Sequence, residues 1–246
     1  MKVKCFKLIF ALLLILPPID ADADNRSEIY SAYVNNNMDK WKNVIDKMQA
    51  SGVDDNEVLL ELVNYQYGYI GYCLGFNKDK EARKYLSLAE DNLSKLEKAG
   101  YRMPVLNAYR SAFYAFRISL NTISAPFNGP KSLDHARKSV ELDHKNYFGY
   151  TQLGNAYFYM PAAFGGSKKT AFENFSKARS LMEIDPSLIK CNWNYLSLLV
   201  TIAQSRAYLE EYEKAKGEYE NILKIEPGFL YVKDDLYPKL LAKMKR

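Results

Sequence analysis

The chain has 246 residues, 48% hydrophobic and 26% charged, which is enough apolar mass for a sizeable core or a short solenoid and too much for a disordered chain. Its 34 basic and 29 acidic residues leave a formal charge of +5; they read as interspersed, solvated helix faces and imply no nucleic-acid partner. Three cysteines and two histidines, without CxxC or HExxH spacing, argue against a disulfide framework and point to neither a metal site nor a cofactor.

Lys2, Lys4 and Lys7 precede the apolar run Leu8 to Leu16, which Pro17 and Pro18 end ahead of Ala21-Asp22-Ala23. A charged head, a short apolar middle and a small-x-small exit predict a signal peptide over residues 1–23, cleaved after Ala23. A stable membrane-crossing helix needs about 20 apolar residues, so the alternative of a retained anchor is the weaker one. Cys5 lies before the apolar run, whereas a lipoprotein signal places its cysteine after it. The expectation is a periplasmic or secreted protein with no stable membrane insertion after cleavage, and with Cys73 and Cys191 as buried free thiols on separate helices.

Residues 24–54 form the next region, in which Asp39 to Gln49 reads as one amphipathic capping helix with Trp41, Val44, Ile45 and Met48 on a single stripe. From 55 to 229 a pattern recurs in which a small residue is followed at offsets of four and seven by a bulky and then a small or apolar one. It reads Ala82, Leu86, Ala89; Ser132, Ala136, Ser139; Ala171, Phe175, Ala178; and Ala215, Tyr219, Ile222. Those offsets share one helix face, and small side chains there let a neighbouring helix come close. Ser132 to Ala171 is 39 residues, and Ala171 to Ala215 is 44. The first surplus matches Pro161-Ala162-Ala163-Phe164-Gly165-Gly166 as a widened turn, and Pro126-Phe127-Asn128-Gly129-Pro130 reads as a similar turn one repeat earlier. The second surplus reads as lengthened helices before Asp185-Pro186 and after it. Ala82 to Ser132 spans 50 residues, so a helix extended to Gly100 and a re-entry after Pro104 are expected there. Residues 230–246 read as a closing helix, broken or kinked at Pro238.

In this pattern Tyr150, Leu153, Gly154 and Tyr157, with Asp143-His144-Lys145-Asn146 before them, stand at the spacing of tetratricopeptide-repeat (TPR) first helices and their preceding turn. Ile202, Ala203, Tyr212, Ala215, Tyr219 and Pro227 match the family's positions in the last unit. The chain thus resembles an exported bacterial TPR protein over roughly residues 55 to 229. The resemblance implies an all-α superhelix, a solenoid of about four helical hairpins between N- and C-terminal capping helices. It also implies a non-enzymatic scaffold or protein-interaction role. In that family the inner groove is lined by first-helix positions, which here are Phe148, Thr151, Asn155, Phe158 and Tyr159 around Tyr150. By analogy they include Asn107, Arg110, Tyr114 and Arg117 around Tyr109, and Gln204 and Tyr208 in the later helix. This aromatic, arginine-containing set suits a peptide or protein segment. A proline followed by a Gly-Gly turn between paired helices also resembles the T-component of TRAP transporters, which implies, as an alternative, an accessory role in small-solute binding or uptake.

Other chemistry is sparse. Gly165-Gly166-Ser167-Lys168-Lys169-Thr170 lacks the Gly-Lys-Ser/Thr order of a phosphate loop and reads as a turn in which Ser167 caps the next helix. Asp134-His135 and Asp143-His144 are adjacent pairs, which point about 100° apart on a helix and do not face each other as acid and base. His135 and His144 read as surface residues, and no catalytic constellation emerges.

Overall fold

The computed structural model describes residues 21–245, with side chains from residue 25 onward. The body of the expected signal peptide, residues 1–20, lies outside the described residues, and the predicted cleavage point falls in the first turn of a helix. Among the described residues there are eleven α-helices and no strand. They are α1 (Ala21–Val34), α2 (Met38–Ala50), α3 (Asn56–Gly75), α4 (Asp79–Lys98), α5 (Met103–Leu120), α6 (Ala125–Leu142), α7 (Tyr147–Tyr159), α8 (Lys168–Met182), α9 (Trp193–Tyr208), α10 (Tyr212–Ile225) and α11 (Tyr237–Met244). The chain is all-α and solenoid-like.

Local sequence explains where the helices begin. Asn37, Asp55, Asn146, Ser167 and Asn192 each accept a backbone N–H of the first turn, satisfying donors that a helix start leaves free. Gly100, at φ +64, turns the chain out of α4, and Pro104 sits in the first turn of α5, where its missing N–H costs nothing.

Four antiparallel pairs follow one another: α3 with α4, α5 with α6, α7 with α8, and α9 with α10. All twelve residues of the repeating stripe are buried, from Ala82 to Ile222. The close approach they permit is visible at α7. A Cβ on Gly149 would lie 2.5 Å from Ser139 Oγ, and one on Gly154 would lie 2.3 Å from the Phe175 ring. At the C-terminus a π-helical segment, Tyr231–Leu236, leads into α11, and Pro238 stands in that helix's first turn.

The array curls until its ends meet. Asn194 on α9 donates to Asn64 on α3 at 3.1 Å, and the Trp193 ring packs 4.9 Å from Trp41 on α2. Helix α1 lies against the same junction, with Tyr33 touching Trp41, Trp193 and Phe229 and with the Tyr30 hydroxyl donating to Glu226. Burying a side chain of this size is worth about 1.5–3 kcal/mol, so this aromatic cluster is a main tie between the first and last helices.

Four expectations are corrected. One capping helix was expected in 24–54, but α1 joins α2 there; Ile29, Ala32 and Tyr33 supply little more than one turn of apolar spacing, too short a signal to predict it. Pro126-Phe127-Asn128-Gly129-Pro130 is not a widened turn: it forms the start of α6, after a 3₁₀ turn at Thr122–Ser124. Pro126 falls where no N–H is needed, and the bond that Pro130 forgoes belongs to the first exposed turns. The surplus between Ala171 and Ala215 lies largely in the connection 183–192, where Asp185 caps a 3₁₀ turn at Pro186–Leu188. Cys73 and Cys191 are free thiols, but only Cys73 is buried; Cys191 is exposed in that connection, at φ +47.

Candidate functional site

The eleven expected groove residues fall into three groups. Along α5, Asn107, Arg110, Tyr114 and Arg117 face α4 and α6 and find partners there. Arg110 forms a two-pronged pair with Glu97 at 2.6 and 2.7 Å and also donates to Ser94. Arg117 pairs with Glu90 at 2.8 Å. Asn107 Oδ1 lies 2.9 Å from His135 Nδ1, and the imidazole stacks on Tyr114. His135 is therefore half-buried and not a surface residue; burial, and then the Arg110 charge, lower its pKa. The inward residues of α5 are instead Tyr109, Phe113 and Phe116, whose rings meet Tyr67 and Phe148 or each other. The phase taken from Tyr109 was about one residue out, because the joint between α4 and α5 is the least regular in the array.

The second group surrounds an inner cavity of ≈ 80 Å³ between α7, α9 and α3. Phe148, Thr151 and Asn155 line it, together with Tyr67, Trp193 and Ser197. Gln152 Nε2 donates to the Tyr67 hydroxyl and Asn155 Nδ2 to Gln152 Oε1, which joins the polar groups of α7 to α3. Burial raises the Tyr67 pKa, so its phenol stays protonated. The Trp193 indole N–H is buried without a protein partner among the described residues. A cavity of this size takes a few waters and is far below the roughly 300–1,000 Å³ that encloses a drug-sized molecule. A larger ligand must sit in the open.

The third group provides an open place at the C-terminal ends of α7 and α9. Tyr159 is 79% exposed and Tyr208 66%. Between and beneath them lies buried Phe158, its ring 5.1 Å from Tyr159 and 5.0 Å from Tyr208, edge to face. Lys168, at the start of α8, holds its ammonium 3.7 Å from the Phe158 ring centroid and 5.3 Å from that of Tyr208, and donates to the Phe158 carbonyl. Burial lowers the Lys168 pKa. Burial, followed by the phenols of Tyr208 and Tyr231, raises that of Tyr159. The two exposed rings, with Phe158 between them, frame a shallow, open mouth at this end of α7 and α9. Gln204 stands one turn before Tyr208 on α9 and takes no part in the ring cluster.

The turn from α7 to α8 shapes this mouth. Gly165 is at φ +95, and a Cβ on Gly166 would fall 1.8 Å from the Met160 carbonyl oxygen, so both positions require glycine. The Ser167 N–H reaches back to the Tyr157 carbonyl, and the Ser167 side chain caps α8. This geometry offers two exposed phenol rings, a buried ring between them and one cation, a surface suited to stacking and cation–π contact. Among the described residues no cluster of three or more His, Cys, Asp or Glu could hold a metal, and no helix is long and apolar enough to cross a membrane.

No protein-family model matches the chain, and no curated protein matches it. Among solved structures it is similar to the HusA haemophore from Porphyromonas gingivalis, with a TM-score of 0.62 and 18% sequence identity. The alignment covers 78% of this chain and 96% of that one. At that identity the likeness is one of fold.

Proposed function

We propose that this chain is a non-enzymatic binding protein that takes a flat, largely apolar ligand bearing acidic groups at the mouth formed by Phe158, Tyr159, Tyr208 and Lys168. The observation that carries the reading is the pair of exposed phenol rings flanking a buried one beside a lysine that has no carboxylate partner among the described residues. Exposing such rings sacrifices burial energy that a core position would return, which favours a ligand-facing role. A planar ligand stacks on the rings, and its acid groups meet Lys168. A haemophore of similar fold makes a porphyrin the first ligand to try. Export to the periplasm or beyond, inferred from residues 1–23, belongs to the same proposal.

The test is a haemin titration followed by the absorbance change and by quenching of tyrosine and tryptophan fluorescence. Removing one stacking ring, as in Tyr208→Ala or Tyr159→Ala, weakens binding about tenfold, the equivalent of about 1.4 kcal/mol. Arg110→Ala leaves the affinity unchanged, because its guanidinium is committed to Glu97. Metal-free protoporphyrin binds within about tenfold of haemin if stacking dominates. A wild-type chain that ignores both porphyrins sinks the reading.

A second reading is favoured by the buried stripe and by the number of exposed apolar residues at this edge, which exceeds what one small ligand covers. It is membership of the TPR family, with a protein or peptide partner. A pull-down in which Tyr159→Ala loses a partner that Arg110→Ala keeps, with no porphyrin bound by either, would favour it.

A further inference from the structure

Helices α5 and α7 are the up-going members of adjacent antiparallel pairs, so the turn from α5 to α6 and the turn from α7 to α8 emerge on one edge of the array. Three bulky apolar side chains stand out at these turns and at the start of α6: Ile123 at 83% exposure, Phe127 at 74% and Phe164 at 79%. None belongs to the porphyrin-type mouth, and neither phenylalanine makes a ring contact among the described residues. The backbone beneath them is tied down. The Asn121 side chain accepts from the Ile123 N–H, and Ser124 Oγ donates to the Asn121 carbonyl at 2.7 Å. The Pro161 carbonyl accepts from both Phe164 and Gly166. These residues are held out into solvent by structure that could have folded them back.

Charge on this part of the chain is one-sided. No Asp or Glu occurs from Lys98 to Leu133 or from His144 to Phe172, and across 98–172 ten lysines and arginines face three acidic residues. Arg102, Arg110 and Arg117 are paired with glutamates, whereas Lys131, Lys168 and Lys169 have no carboxylate partner among the described residues.

We propose that this edge is a peripheral docking surface for an anionic lipid membrane. Ile123, Phe127 and Phe164 enter the boundary between headgroups and acyl chains, and Lys131 and Lys169 meet lipid phosphates. Projecting, separated apolar tips with a basic surround suit a deformable partner, since a folded protein would need a matching pocket for each tip. The charge asymmetry selects anionic over neutral lipid, at about fivefold in affinity per lysine near the surface.

The full chain is tested by co-sedimentation with vesicles of phosphatidylcholine alone and with vesicles in which about a third of the lipid is phosphatidylglycerol, at near-physiological salt where screening is realistic. The expected result is binding at least about tenfold tighter to the anionic vesicles. Ile123→Ser/Phe127→Ser/Phe164→Ser loses at least about tenfold in vesicle affinity, and Lys131→Gln/Lys169→Gln narrows the preference for anionic lipid. Both variants keep wild-type circular dichroism, and Ile123→Ser/Phe127→Ser, which leaves the α7–α8 turn intact, also keeps the porphyrin titration, so the two proposals fail separately. Equal affinity for the two vesicle types, no vesicle binding, or a triple serine variant that binds as the wild type does would overturn it. So would loss of an acidic protein partner in that variant without any effect on vesicles.

Discussion

Helices α5 and α7 open successive pairs, yet their polar residues have opposite fates. On α5, Arg110, Arg117 and Asn107 are absorbed into bonds with α4 and α6, and the inward face presents the rings of Tyr109, Phe113 and Phe116. On α7, Thr151 and Asn155 line an inner cavity and Tyr159 stands exposed at the helix end. The stripe on α6 and on α8 is equally buried, so the difference does not come from how each pair is held together. It comes from the phase at which each first helix enters. A shift of one residue rotates a helix by about 100°, enough to exchange a ligand-facing side for a neighbour-facing one.

Substitutions on the two helices test this difference. The largest effect is expected where α7 touches α8: Gly154→Ala drives a Cβ into the fully buried Phe175 and costs about 1–3 kcal/mol in denaturant unfolding. Gly71→Ala, where a Cβ meets open space, is neutral or stabilising by up to about 1 kcal/mol. Equal costs at the two sites would mean that close approach at α7 is not what holds the third pair. Next comes a crossover: Arg110→Ala lowers stability by up to about 1 kcal/mol with ligand affinity intact, whereas Tyr208→Ala lowers affinity with stability intact. Both changing the same property would erase the division between the two helices.

The smallest effects are those of pH. Burial and the Arg110 charge hold the His135 pKa below its ordinary value of about 6.5, so on acidification the unfolded chain takes up its proton first. Stability therefore falls as pH drops through that value and levels off below the folded pKa, and His135→Asn flattens this part of the profile. At Glu183 burial works in the other direction, but hydrogen bonds from Arg179 and Tyr195 prevail and lower its pKa. Its contribution is present above the ordinary glutamate range and lost as pH falls through the lower folded value, a second step that Glu183→Gln should remove. A profile unchanged by both substitutions would show that neither contact persists in solution.

Much of the architecture could be read in advance because it is written locally. The stripe from Ala82 to Ile222, the Gly100 turn and the Ser167 cap depend on neighbours within a few residues. The helical Pro126-Phe127-Asn128-Gly129-Pro130 misled for the same reason: its composition favours a turn, and only the packing of α6 on α5 makes a helix the better outcome. Helix α1 left almost no periodic signal, since its partners Trp193 and Phe229 lie far along the chain. The acid-free stretches on either side of Asp134 to Asp143 were visible in the sequence, but a reading of overall charge balance hides them.

That the chain is helical, that its helices pair, and which faces of the second helices are small enough to pack are all set by periodicity and turn chemistry over one or two turns, and so can be read from residue order alone. The folded packing, in contrast, sets that the ends curl together around Trp41 and Trp193, that the arginines of α5 are spent on glutamates, and that Tyr159 and Tyr208 flank Phe158. Those outcomes depend on the rotation of one helix against another, to which many distant contacts contribute.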